Sequence, residues 1–150
     1  MGEADDMELI YSLVGYALAL EQANRHLLTL LPQSERIDGA YRRMRAEYPE
    51  RAVRELLSNM VIHQDLSDTQ SSPVASVFNG RIVFSNPGES LVPKERMLNA
   101  QPKSRNSALA GLLRQMHLCE EQGSGWDIVV ASCEAFHMAA PKAESDEGLG

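Results

Sequence analysis

The sequence predicts an α+β fold. Two long stretches carry apolar residues at helical spacing, one pair of short β-rich runs flanks a glycine turn, and two further helical repeats follow that pair. From Asp5 to Leu31, the residues Leu9, Leu13, Tyr16, Leu20, Leu27 and Leu31 recur at helical intervals with no proline before Pro32. From Glu50 to Asp65 the pattern repeats, and Val74–Phe78 and Arg81–Ser85 enclose Asn79-Gly80, the strongest short-range hairpin signal.

Composition bounds the rest. At 150 residues and 43% apolar content the chain suits one compact domain better than two. A net charge of -7 disfavours a broad phosphate-neutralising surface, so DNA contact is expected only through a separate domain or partner. Arg42, Arg43 and Arg45 are the local exception, read as the wet side of a weak helix over Ala40 to Ala46. No apolar run reaches membrane-spanning length and the N-terminus lacks the pattern of a signal peptide, so a cytoplasmic protein with no membrane partner is expected. Cys119 and Cys133, placed in separate helical contexts without metal-type spacing, read as reduced and buried.

In chain order, the first helix begins with Glu3, Asp5 and Asp6, which suit the positive end of a helix dipole. Its expected job is packing, either across a sheet or against a second copy. Residues 1–48 are read as a helical N-terminal extension, 49–140 as the core, and 141–150 as a disordered acidic tail. The second helix should start near Glu50, because Pro49 gives up an amide hydrogen that would have no intrahelical partner. Its face of Val53, Leu56, Leu57, Met60 and Val61 should be buried. Glu55, Asn59 and His63 form a second stripe, each four residues after the last, so all three point into one space. Taken alone, Glu-x-x-x-Asn on a helix is more often a solvated face than a site.

Leu66 to Pro73 reads as a loop, and the hairpin that follows must lean on the helices, since an isolated pair of strands is marginal in water. Asn86-Pro87-Gly88-Glu89-Ser90 ends its second strand, and Leu91 to Lys103, with two prolines, reads as a long connection. A serine or asparagine of Ser104-Arg105-Asn106-Ser107 should cap the helix bearing Leu109, Leu112, Leu113 and Met116. Finally, Gly123-Ser124-Gly125 precedes a helix from Trp126 to Phe136. Backbone amides of such a turn, with the first amides of the helix, can cradle phosphate oxygens.

Five of these stretches resemble one family in the same order. The Glu50 helix is similar to the N-box of the Bergerat-type ATP-binding fold shared by histidine kinases, Hsp90, gyrase-type topoisomerases and mismatch-repair proteins. It resembles most the branch known as the RecG-like ATP-dependent DNA helicase C-terminal domain, whose Arg-Glu-Ala-x-x-Asn-Ala-x-x-His-Arg-Asp-Tyr is matched by Arg54, Glu55, Asn59, His63 and Asp65, with Gln64 and Leu66 as departures. Asn86-Pro87-Gly88 resembles that branch's Asn-Pro-Gly-Gly, which stands where the G1 box holds adenine; Glu89 and Ser90 replace small residues there. Arg105-Asn106 matches an Arg-Asn-Pro, His117-Leu118-Cys119-Glu120 stands where the branch has Gly-Leu-Ile-Glu, and Gly123-Ser124-Gly125 resembles the phosphate-holding G2 turn.

The resemblance implies a two-layer α/β sandwich, truncated or completed by a partner's strand, and a lid over Leu91 to Lys103. It implies ATP and magnesium as ligands, with Asn86, Gly88, Gly123, Ser124, Gly125 and Asn59 binding the nucleotide. Asn59 would also be the metal ligand, and Glu55 the general base toward the attacking water. Asp65 is expected to cap or to pair locally with His63, and Arg54 to be an ion-pair or surface residue. Such a module would belong to a DNA-associated or transcriptional regulatory protein, and no helicase motor motif such as a Walker A sequence occurs in these 150 residues. The alternative is a degenerate, non-catalytic interaction or dimerisation domain of the same fold, self-associating through the first helix.

Overall fold

The computed structural model describes residues 3–88, 104–120 and 124–144, with backbone alone for residues 3–13. The elements run α1 (Glu3–Leu30), β1 (Gln33–Asp38), β2 (Tyr41–Ala46), α2 (Glu50–His63), β3 (Val74–Phe78), β4 (Arg81–Ser85), α3 (Ser107–Gln115) and α4 (Gly125–Ala135). The α+β class therefore holds. The described strands form two separate antiparallel pairs, β1–β2 and β3–β4.

Helix α2 is the centre of the molecule. Ala17, Leu20, Leu27 and Leu31 come from α1 and its end, Leu109, Ala110 and Leu113 from α3, and all join Val53, Leu57, Met60 and Ile62 in one cluster. On the opposite flank Ala52 and half-buried Leu56 pack against Val129 and Cys133 of α4. With neighbours on two sides, α2 is buried around most of its circumference, which corrects the expected single apolar face. Leu56 and Val61 are only half-buried, whereas Glu55 and Ser58 are inside. Each fully buried Leu or Met here contributes about 1.5–3 kcal/mol from apolar area alone. The first helix is accordingly part of this core, with Tyr16 half-buried beside it.

The hairpin β3–β4 forms with the expected boundaries, Val77 opposite Ile82 and Ala75 opposite Phe84. Gly80 supplies the turn at φ 81, a conformation that side-chain-bearing residues rarely adopt. Ala75, Ile82 and Phe84 lean on the core. Arg81 lies 4.9 Å above the Phe78 ring on the other face.

Residues 33–46 overturn the helical reading of that part of the N-terminal extension. They form a hairpin in which Gln33 pairs with Ala46 and Asp38 with Tyr41, closed by Gly39 at φ 62. Arg42, Arg43 and Arg45 therefore lie on a strand, and period-two alternation sends Arg42 to one face and the other two to the opposite face.

Both later helices end in the same way. His117 and His137 take φ 57 and 56, and Leu118 N–H reaches back to Leu113 O at 2.9 Å as Met138 N–H does to Cys133 O at 3.0 Å. This is the Schellman closure, in which a left-handed residue after the C-cap satisfies the last carbonyls. It explains why the resembled stretch has glycine where this chain has His117. It also takes Cys119 out of a helical context, into the bend that follows, while Cys133 stays in α4; both are free thiols. The expected lid, Leu91 to Lys103, lies outside the described residues, as do Glu89, Ser90 and residues 145–150 of the tail. Pro141 to Glu144 has no regular structure. Among the described residues, no helix is long and apolar enough to cross a membrane.

Candidate functional site

Glu55 is the unusual residue of α2, a carboxylate only 3% exposed in the centre of the helix. The chain supplies it with partners. After the turn at His117, residues 118–120 run back along α2, where Ser58 Oγ donates to Leu118 O at 2.8 Å and Glu120 N–H donates to Glu55 Oε2 at 3.2 Å. Glu120 in turn accepts at Oε1 from Arg54 at 2.9 Å and Arg51 at 3.1 Å. Of the two readings open for Arg54, an ion-pair residue is the one the structure shows.

Burial pushes the Glu55 carboxyl above its ordinary range. The Glu120 amide opposes that shift, the Glu120 carboxylate adds to it, and Arg54 and a hydrogen bond from Asn59 oppose it further. Glu120 is held below its ordinary range, first by the hydrogen bond from Arg51. Two carboxylates side by side are thus driven in opposite directions, the pattern that separates a proton-accepting group from a structural anion.

Glu55 Oε1 faces the first residue of α4. A Cβ on Gly125 would overlap that oxygen and would lie 3.4 Å from Asn59 Nδ2, so only glycine lets the start of α4 come this close. The amides and dipole of a helix N-terminus favour anions. Ser124 is the N-cap of α4, without a side-chain cap bond. Glu55, Asn59, Ser124 and Gly125 are therefore brought together as the sequence suggested, whereas Gly123 lies outside the described residues. An open groove runs from this corner between Arg51, Ser124, Asp127 and Ala131.

Asn86 and Gly88 lie at the other end of α2. Asp65 N–H donates to Pro87 O at 2.8 Å, which ties the turn after β4 to the end of the helix. Gly88 has φ 101, and a Cβ there would stand 2.9 Å from Asp65 Cβ and 3.2 Å from an Arg105 nitrogen. Asn86 spends its amide nitrogen on a long contact, 3.4 Å, to Pro87 O. From Glu55 to the end of α2 at His63 is eight residues, about 12 Å at 1.5 Å per residue, and the second glycine corner lies just beyond that end.

Between them stands His63, whose imidazole is held below its ordinary value by burial and by the Arg105 charge, so the neutral form dominates at pH 7. Of the two roles expected of Asp65, pairing with His63 is not the one it takes; it caps the turn that follows. It accepts from Ser67 Oγ at 2.6 Å and Ser67 N–H at 2.9 Å, and lies 3.5 Å from Arg105. These bonds from Ser67 hold Asp65 below the ordinary carboxylate range.

Three residues of this arrangement were not singled out from sequence as site residues: Glu120, Arg105 and Asn106. Asn106 is the N-cap of α3, but its side chain caps another helix, donating at 2.9 Å to Ile62 O and at 2.9 Å to Gln64 O at the end of α2. The resembled Arg-Asn-Pro and the glutamate of Gly-Leu-Ile-Glu were the available signals. Among the described residues no group of three or more His, Cys, Asp or Glu side chains could hold a metal ion.

A family profile described as "Putative ATP-dependent DNA helicase recG C-terminal" matches residues 71–149, more than half of the chain, and the chain belongs to that family. The matched residues begin after α2, so Glu55 and Asn59 stand outside them. A solved structure, the DIP2311 protein from Corynebacterium diphtheriae, superposes with a TM-score of 0.70 at 24% identity over 81% of this chain and 25% of that one. The chain spans about a quarter of that protein's length, and the likeness carries the fold alone. No curated protein matches the sequence.

Proposed function

We propose that this chain is an ATP-binding, weakly hydrolysing module of a DNA-associated or transcriptional regulatory protein, built as a two-layer sandwich of the Bergerat type that further strands complete. The observation that carries this reading is the meeting of Glu55 Oε1, Asn59 and the N-terminus of α4 at Gly125. The nucleotide would lie along the α2 flank, with phosphates at the Gly123-Ser124-Gly125 end and adenine at the Asn86-Gly88 end, accepted by the Asn86 amide oxygen. The helix length between the corners suits an extended nucleoside triphosphate.

Magnesium fits this donor set, because an ion that takes most of its ligands from phosphates and water needs few from protein, and the Asn59 carboxamide offers one neutral oxygen. When bound, it would neutralise charge on the phosphates. Glu55 is held at Oε2 by the Glu120 amide, and its Oε1, turned toward the N-terminus of α4, would orient the attacking water and take its proton. A raised carboxyl brings that base closer to neutral pH.

The test is thermal stabilisation by ATP with magnesium, since a ligand that binds the folded state raises its apparent stability. Saturating MgATP should raise Tm in wild type and in Glu55→Ala, with turnover only in wild type. Asn59→Ala should lose both. Equal turnover in wild type and Glu55→Ala overturns the assignment of the base. The second reading, a non-catalytic interaction domain pairing with a second copy through α1, is favoured by Val14 and Leu18, which stand exposed one turn apart on that helix. Under it, MgATP produces no shift and Leu18→Glu dissociates a dimer seen by light scattering.

A further inference from the structure

The strand register of β1–β2 sorts its charges into two unlike faces. Cross-strand partners share a face, so Ser34 with Arg45, Arg36 with Arg43, and Asp38 with Tyr41 line one side. The other side carries Ile37, Met44 and the pair Glu35–Arg42 at 3.8 Å. On the first side Arg36 stands directly opposite Arg43, a like-charged pair that destabilises a hairpin. Neither has a hydrogen-bond or ion-pair partner among the described residues. Arg45 is steadied at the base of the ribbon, 5.2 Å from the Phe136 ring centre. Tyr41, 72% exposed, holds the turn end of the same face.

We propose that this face of β1–β2 binds single-stranded nucleic acid, with Arg36, Arg43 and Arg45 on successive phosphates and Tyr41 stacked on a base. Phosphates neutralising Arg36 and Arg43 remove the repulsion that the free ribbon bears. Arg43 and Arg45 are two residues apart on one strand, about 6.6 Å, a spacing comparable to that of phosphates along a single strand. Flat guanidinium groups grip phosphate with two hydrogen bonds each, and cations that track a backbone beside an aromatic that accepts any base are the two components of single-strand binding. Asp38, next to Tyr41, confines the phosphates to the base half of the face. Arg36, Arg42, Arg43 and Arg45 against Glu35 and Asp38 leave the ribbon at +2 in a chain of -7, so attraction is local to the ribbon. An acidic protein surface could also meet the arginines, but the regular strand spacing of the cations is what a repeating phosphate backbone matches. Nothing here depends on the nucleotide reading of α2.

The experiment is fluorescence anisotropy of the whole chain, without ATP, against a labelled oligothymidine single strand between 50 and 200 mM salt. Three phosphate contacts give a slope of log affinity on log salt of about -2, at roughly -0.7 per contact on a single strand. Arg36→Gln with Arg43→Gln should weaken binding at least tenfold and bring the slope near -0.7, whereas Tyr41→Ala should weaken it severalfold at unchanged slope. Neither variant should melt below wild type, because the replaced side chains hold no part of the core and the double substitution removes a like-charged pair. Absence of binding, equal binding by the double variant, or equally good competition by duplex DNA or polyglutamate overturns the proposal.

Discussion

The two hairpins are alike in local design and opposite in use. Each is an antiparallel pair closed by a glycine at positive φ, Gly39 in one and Gly80 in the other. β3–β4 turns Ala75, Ile82 and Phe84 onto α2 and its cluster, and is held there. All of β1 and nearly all of β2 stay exposed, Ile37 at 74%. Its anchors lie at its base, where Glu47 N–H meets Pro32 O at 3.1 Å and Arg45 lies over Phe136. Two strands alone are marginal in water, so a ribbon survives either by burying a face or by being pinned at its root. The first kind builds the core, and the second leaves both faces to solvent and to partners.

Substitutions should separate the two regions by size of effect. Phe84→Ala should lower stability by about 2–3 kcal/mol, below the range for a fully buried ring because Phe84 is half-buried. Ile37→Ala should change it by less than about 0.5 kcal/mol. Denaturant midpoints measure both, and equal losses would break the contrast. Gly125→Ala should cost about 1–3 kcal/mol, since its Cβ must displace the buried Glu55 carboxylate.

Asn106→Ala should cost about 1–2 kcal/mol by stranding the carbonyls of Ile62 and Gln64, with increased amide exchange at the end of α2. The titration of Glu55 has a definite sign. Its folded value is raised, so its contribution to stability is full below the ordinary 4.5 and is lost as pH rises through the folded value. Glu55→Gln should remove that loss, and the difference between the two midpoints should grow from acid toward neutral pH. A constant difference would show that Glu55 titrates as a solvated acid. The smallest effect is expected at His117→Gly, a gain of about 0.5–1 kcal/mol from relieving a side chain at φ 57.

What was legible before any coordinates follows from the range of the interactions involved. Residues 74–85 announce their hairpin because turn chemistry and alternation are local. The start of α2 at Glu50, with Pro49 before it, is local in the same sense. Residues 33–46 carried a comparable turn signal in Asp38-Gly39, but the strands around it are mostly polar, so alternation was faint and the arginines passed for a helix face. The spacing of Glu55 and Asn59 established that they share a flank, because helical geometry alone decides it.

The amino-acid order by itself determined the central helix, the β3–β4 hairpin, the shared flank of Glu55 and Asn59, and the resemblance that family membership upholds. Tertiary structure alone decided that Glu55 is buried, that this burial raises its carboxyl against the opposing Glu120 amide and Arg54, and that Asn106 caps a helix other than its own. It also decided that Arg36, Arg43, Arg45 and Tyr41 share an open face. The reason is physical: burial and electrostatic environment depend on groups some 65 residues away along the chain, such as Glu120 from Glu55, which only packing brings within hydrogen-bond reach.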